Sequence, residues 1–310
     1  MILTVTLNAA LDVTYGVDSL RPRTSHRVDT TYERAGGKGI NVARVLAALG
    51  HEAAVTGLAG GPTGGLLRDE LRTAGLPDDL VTVAGDSRRT LTVVSRDDGE
   101  ATVFNQCGPR VSPGEGETFT DHFASLVRGA TVVALCGSLP PGLPPDAYAH
   151  LIRTAARAGA ASVLDTSGPA LLGALVAGPD VVKPNAAELA AVTGRADVPA
   201  AAAQLRALGA RAVVASSGPG GVHAVTPNGA WRAAPPEQLA GNPTGAGDAC
   251  VAALAAGLAT GAPWPDVLRE SVALSAAAVP CPVAGDFDAG TYHRFRTAVS
   301  VEEVHAAHAH

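Results

Sequence analysis

Thr131-Val132-Val133-Ala134-Leu135, Ser162-Val163-Leu164, Asp180-Val181-Val182 and Ala212-Val213-Val214-Ala215-Ser216 are four short apolar runs, each bounded by turn residues. Alanine- and leucine-rich stretches of helical character separate them. A strand apolar on both faces belongs in a sheet covered on both sides, and strands alternating with helices form βαβ units around a parallel sheet. Working outward, Met1 to Leu7 and Ala53 to Leu58 read as further strands. Ile40 to Leu49 reads as a helix that stops at Gly50, a residue suited to the left-handed position after a helix. The expected fold class is α/β, a mostly parallel central sheet flanked by helices.

Two segments break this rhythm. Leu11 to Arg34, and Arg89 to Asn105 with its Thr-Leu-Thr-Val-Val and Ala-Thr-Val-Phe alternation, read as half-exposed antiparallel strands rather than crossovers. Both fall in the first half of the α/β core, so they are expected to pair into a small sheet covering one end of the main one. The organisation that follows is a single domain over residues 1–310, with a lid formed by approximately 11–34 and 88–107.

The chain has 310 residues, 46% hydrophobic and 17% charged, enough apolar material for a sizeable core. A net charge of −6 and scattered arginines leave no basic field for nucleic acid. No apolar run reaches the roughly 18 residues of a membrane span, and Met1-Ile2-Leu3-Thr4 lacks the basic start of a signal peptide. No nucleic-acid or membrane partner is expected, and the location is expected to be cytoplasmic. Cys107, Cys136, Cys250 and Cys281 lie far apart without metal-ligand spacing and read as buried reduced thiols. His305, His308 and His310 read as a tail rather than a metal site. Asp165 and Ser167 have no accompanying histidine, so a hydrolase triad finds no support.

The strongest local chemistry is in Asn242-Pro243-Thr244-Gly245-Ala246-Gly247-Asp248, followed by the apolar stretch Ala249 to Leu258. Small residues let backbone amides approach an anion, and a helix starting there adds its positive end. A carboxylate in such a place repels a static phosphate, and makes sense as a base that removes a proton from a nucleophile attacking phosphorus. The competing reading is Asp248 as an ordinary helix cap. In Ala35-Gly36-Gly37-Lys38-Gly39-Ile40-Asn41 the glycines allow close backbone approach, while Lys38 and Asn41 offer donors. The Lys38-Gly39 pair rules out a Walker A loop, and a plain turn would also fit. Asn185 and Glu188 follow a strand end and share a helix face, either to hold a hydrated magnesium ion or as a capping box. Ser216-Ser217-Gly218-Pro219-Gly220-Gly221 is either a phosphate cradle or a hairpin turn.

Taken in order, these strings resemble the PfkB sugar kinases of the ribokinase superfamily, and within them the 1-phosphofructokinase and tagatose-6-phosphate kinase branch. The matching runs are Thr6 to Asp12, Gly36 to Asn41, Gly137-Ser138-Leu139-Pro140-Pro141-Gly142, Leu164 to Gly168, Lys183-Pro184-Asn185 and Gly245 to Asp248. Departures from the branch pattern fall at Ala9, Thr90, Cys107 and Pro243.

The resemblance implies a three-layer ribokinase-like fold and an ATP-dependent kinase. Its acceptor would be a ketohexose phosphate of the fructose 1-phosphate or tagatose 6-phosphate type, converted to a bisphosphate. An unphosphorylated sugar or nucleoside as acceptor is the alternative, as is a catalytically silent sugar-binding regulator. By the same resemblance Asp248 is the general base, and Gly245, Ala246 and Gly247 form the anion hole. Asp12, Gly37, Lys38 and Asn41 border the sugar. Arg88 holds the substrate's remote phosphate, with Arg27 and Ser138 assisting. Lys183, Asn185, Ser216, Gly218 and Gly221 bind nucleotide, and Asn185 and Glu188 hold Mg2+ through water. The lid implies a homodimer.

Overall fold

The computed structural model describes residues 1–304, so the three tail histidines lie outside the described residues. Its strands are β1 (Ile2–Thr6), β2 (Ala10–Val17), β3 (Thr30–Gly36), β4 (Ala53–Gly60), β5 (Asp78–Val83), β6 (Arg88–Ser95), β7 (Ala101–Asn105), β8 (Val132–Cys136), β9 (Ala161–Asp165), β10 (Val181–Val182), β11 (Ala212–Ser216), β12 (Val222–Thr226), β13 (Gly229–Ala234) and β14 (Ser300–Glu303). The helices are α1 (Lys38–Ala48), α2 (Gly61–Thr73), α3 (Pro113–Leu126), α4 (Ala147–Arg157), α5 (Gly168–Leu175), α6 (Ala186–Thr193), α7 (Val198–Ala207), α8 (Ala246–Thr260), α9 (Trp264–Ala278) and α10 (Ala289–Ala298). Every strand anticipated in the first paragraph is present within a residue or two.

Ten strands form the main sheet in the order β14-β13-β12-β11-β10-β9-β8-β1-β4-β5. From β11 to β5 all neighbours are parallel, while β12, β13 and β14 extend the sheet antiparallel. Alternate residues of one strand feed opposite cores, as the period of two requires. Val132 and Ala134 of β8 join a core with α1, α8 and α9, whereas Val133 and Leu135 join one with α3, α4 and α5. That two-sided burial explains the continuous apolar runs in the sequence.

The small sheet is present, in the order β3-β2-β6-β7. It corrects one expectation: each hairpin is antiparallel, but the two hairpins meet through a parallel pair, β2 against β6. The cause is chain entry. β1 runs directly into β2 and β5 into β6, so both lid strands leave the C-terminal ends of parallel strands and travel the same way. One face of this sheet buries Leu11, Val13 and Ala35 in the core with Leu67 and Leu71 of α2. The other carries Asp12, Arg34, Thr90 and Asn105, which share one register row.

All four cysteines are free; Cys136 and Cys250 are buried as expected, but Cys107 is exposed and Cys281 half-exposed, because both sit in loops. No helix among the described residues is long and apolar enough to cross a membrane.

Candidate active site

A cavity of about 860 Å³ lies between the polar face of the lid and the C-terminal ends of the parallel strands. This is where open α/β sheets present ligand sites, because the loops there are free of the ladder. It gathers Asp12, Gly37, Lys38, Asn41, Arg88, Lys183, Asn185, Glu188, Ser216, Gly218, Gly221 and the Gly245–Asp248 turn. Residues scattered over more than two hundred positions thus share one wall. Arg27 and Ser138 are not brought in. Arg27 is exposed in the connection between β2 and β3, and Ser138 accepts a 3.1 Å bond from Asn8 Nδ2 outside the cavity.

Gly245, at φ 92°, is the residue before α8, a left-handed conformation that glycine adopts without strain. It takes the capping position, so Asp248 is not the cap; it lies in the first turn with its carboxyl pointing inward. Only 7% exposed, Asp248 accepts a 2.8 Å hydrogen bond from Asn41 Nδ2 at Oδ2. Burial pushes its carboxyl up to about 6, even though Lys38 pulls the other way. Of the turn's amides, Ala246 donates to the Pro243 carbonyl at 3.2 Å, while Gly247 has no acceptor among the described residues. The free donor therefore stands at the helix's positive end.

Behind this turn, Asp165 ends β9 fully buried. Its Oδ1 lies 3.0 Å from Lys38 Nζ and 3.6 Å from Lys183 Nζ. Burial alone would depress the Lys38 ammonium, but Asp165 and Asp248 hold it above its ordinary value. The Lys183 ammonium likewise stays raised against burial through Asp165. Two cations and two carboxylates offset one another here; Asp165, Lys183 and Asp248 are buried while Lys38 opens on the cavity, and such pairing is how buried charges are tolerated. Asp165 Oδ2 remains without a partner.

On the lid, Arg88 donates from Nε to the Asn8 carbonyl at 2.9 Å and from Nη1 to Thr90 Oγ1 at 3.3 Å, which holds its guanidinium over the cavity. Strand alternation puts Arg88 on the cavity face and Arg89 on the other. Asp12 packs so closely on Gly36 that a Cβ there would meet its Oδ2 at 1.9 Å, which accounts for glycine at that position. Burial pushes the Asp12 carboxyl up, against the Thr90 hydrogen bond and the Arg88 charge.

Asn185 and Glu188 form a capping box at the start of α6, each side chain accepting the other's backbone N–H at 2.8 Å. No group of three or more His, Cys, Asp or Glu side chains that could hold a metal exists among the described residues. Magnesium bound by one carboxylate and by substrate phosphates needs no such cage, and Glu188 on the cavity wall fits that arrangement. Ser216 to Gly221 is the hairpin turn between β11 and β12, and Ser216, Gly218 and Gly221 also line the cavity. Leu239, Val272, Ala276, Val279 and Val283 give the cavity an apolar part of its lining.

Sequence reasoning missed this apolar lining, since its residues are ordinary helix and loop positions. It also set Asp165 aside for want of a histidine, although the residue stands in one of the matched runs. Asn8, Arg34 and Asn105 were missed as well.

The profile of the pfkB family carbohydrate kinases matches residues 4–288. The chain is 42% identical over 265 residues to the 1-phosphofructokinase of Xanthomonas campestris pv. campestris, with 83% of each chain covered. It is 39% identical over 284 residues, 90% of each chain, to that of Rhodobacter capsulatus. Among solved structures, phosphofructokinase-2 of Escherichia coli in complex with potassium superposes with a TM-score of 0.90 at 30% identity, covering 96% of this chain and 98% of that one.

Proposed function

This chain belongs to the pfkB family of carbohydrate kinases, and from that premise we propose that it transfers the γ-phosphoryl group of ATP to a hydroxyl of a ketohexose phosphate, yielding a bisphosphate. Fructose 1-phosphate is the favoured acceptor, as the Xanthomonas campestris and Rhodobacter capsulatus relatives carry the name 1-phosphofructokinase; tagatose 6-phosphate is the second candidate. The observation that carries this reading is the buried Asp248 carboxyl at the head of α8, held by Asn41 and opening on the same cavity as Asp12 and Arg88.

In this mechanism Arg88 pairs with the acceptor's existing phosphate and Asp12 accepts hydrogen bonds from its hydroxyls. Asp248 takes the proton of the attacking hydroxyl as its oxygen bonds to the γ-phosphorus, and the bond to the leaving ADP oxygen breaks. The Gly245–Gly247 turn and Lys38 stabilise negative charge on the transferred group. Base and charge stabilisation each contribute on the order of 10²–10⁴-fold. Nucleotide lies against the Ser216–Gly221 turn, Lys183 and the apolar lining. Glu188 and Asn185 would hold magnesium through water beside the bound ATP, and the ion would supply neutralisation of the nucleotide's phosphate charge.

We also propose that the lid dimerises. β3 and β7 are open edges, and Tyr32, Val103 and Phe104 are 48%, 44% and 55% exposed. Such edges and apolar side chains are usually covered.

The deciding experiment is ADP release with magnesium and ATP against phosphorylated and free ketoses and nucleosides, with product positions assigned by NMR. Turnover of fructose 1-phosphate or tagatose 6-phosphate far above the free sugars supports the reading. Preferred turnover of a free sugar or nucleoside, or none, defeats it.

A further inference from the structure

Arg34 sits on β3 directly opposite Asp12 in the lid register, and lines the cavity. Its guanidinium nevertheless reaches out of the lid. Nη2 donates to Asp286 Oδ1 at 2.8 Å and Nη1 to the Ala284 carbonyl at 3.3 Å, 252 and 250 residues along the chain.

The loop it grips touches the phosphoryl-transfer machinery twice. A Cβ on Gly245 would lie 2.8 Å from Ala284 Cα, so the loop packs on the residue that heads α8. A Cβ on Gly285 would lie 3.3 Å from Asn41 Cα, and Asn41 is the residue that holds Asp248. Arg44, buried one turn along α1, also abuts Gly285; it ion-pairs with Glu70 of α2 and donates to the carbonyl of Ala35, the neighbour of Arg34. The strand that faces Asp12 and the turn that carries the base are thus joined through three loop residues.

We propose that Arg34 is a positioning residue for phosphoryl transfer, whose fork onto Ala284 and Asp286 sets the spacing between the acceptor at Asp12 and the anion-hole turn. This rests on the kinase reading above. Asp286 is 45% exposed, so the ion pair adds little to stability. What it adds is geometry: a planar guanidinium with two parallel donors fixes both distance and angle, as an ammonium does not. A displacement of about 1 Å between reacting groups costs on the order of 10²-fold in rate.

The test compares Arg34→Gln, Arg34→Lys, Asp286→Ala and the Gln/Ala double variant in ADP-release kinetics, thermal melting and hydrogen exchange of residues 281–286. Arg34→Gln is expected to lower kcat by about ten- to a hundredfold, with smaller changes in either KM and a nearly parental melting point. Arg34→Lys should fall between it and the parent, and loop exchange should quicken in both. The double variant should lose little more than the worse single one, because the two side chains act as one unit. An unchanged kcat in Arg34→Gln overturns the proposal. A loss confined to the KM for sugar phosphate also does, making Arg34 a substrate ligand; so do single losses that multiply in the double variant. A parent chain without kinase turnover would instead defeat the kinase reading, while loop exchange would still show whether Arg34 fastens the loop. If Arg34→Gln does not fold, the Lys and Asp286 variants carry the same comparisons.

Discussion

Asn41 donates its side-chain amide to Asp248 across 2.8 Å, tying the first turn of α1 to the first turn of α8 over 207 residues of sequence. One carboxylate oxygen, Oδ2, is thereby engaged, and in the proposed reaction Oδ1 would be the oxygen that takes the hydroxyl proton. The same bond favours the ionised carboxylate, in opposition to the burial that disfavours it.

Asp248→Asn keeps the shape and can still accept from Asn41, but cannot take a proton. Substrate and nucleotide binding, followed by calorimetry, should stay near parental while kcat drops about 10²–10⁴-fold. A parental kcat would remove Asp248 from the base role.

The raised Asp248 carboxyl has two consequences with pH. Activity needs the ionised form, so kcat should fall as pH drops through about 6. Stability runs the other way. A carboxyl whose folded value lies above its ordinary 3.8 contributes fully below 3.8, and that contribution is lost as pH rises through about 6. Above pH 7 the Asn variant should therefore be more stable than the parent by about 3 kcal/mol. Denaturant melts at pH 4, 6 and 8 should show this gap widening with pH.

Arg88→Ala removes a charge-assisted phosphate contact of roughly 1.5–3 kcal/mol, one to two powers of ten in affinity. KM should rise for phosphorylated ketoses and hold for free ones. Equal losses for both would mean that the bonds of Arg88 to Asn8 and Thr90 matter only for the lid's structure.

The capping box at Asn185 and Glu188 lets two roles be separated. Glu188→Gln can still accept from the Asn185 amide, so the melting point should hold while the magnesium needed for half-maximal rate rises. Asn185→Ala deletes a helix cap and should also cost about 1 kcal/mol of stability. A Glu188→Gln enzyme with the parental magnesium titration would reduce the pair to a cap.

Phe104→Asp places a charge on the edge strand β7, at an exposed position outside the cavity lining. Analytical ultracentrifugation should shift from dimer to monomer. A parent chain that sediments as a monomer refutes the lid interface outright.

Much of this molecule was readable from local pattern. Continuous apolar runs such as Val132 to Leu135 could lie only in a sheet buried on both faces, and Gly50 marked the end of α1. The lid was legible from alternation at Arg89 to Asn105, yet its central parallel pair was not. Alternation reports which face is wet; it says nothing of strand direction, which follows from where β1 and β5 release the chain. The local strings at Asn185 and Ser216 were open between cap and ligand site, and the structure makes each a structural turn that also lines the cavity.

By itself the sequence determined the α/β class, the positions of the strands and helices, and the Gly245–Asp248 turn, because periodicity, capping and turn chemistry act over a few residues. The tertiary structure alone decided that Asp165 would lie between Lys38 and Lys183, that Asn41 would hold Asp248, and that Arg34 would reach Asp286. It also left Arg27 and Ser138 outside the cavity. These relations depend on strand order, which places β9 beside β8 and β8 beside β1. Strand order is set by burial summed over the whole sheet, and no window of a few residues carries it.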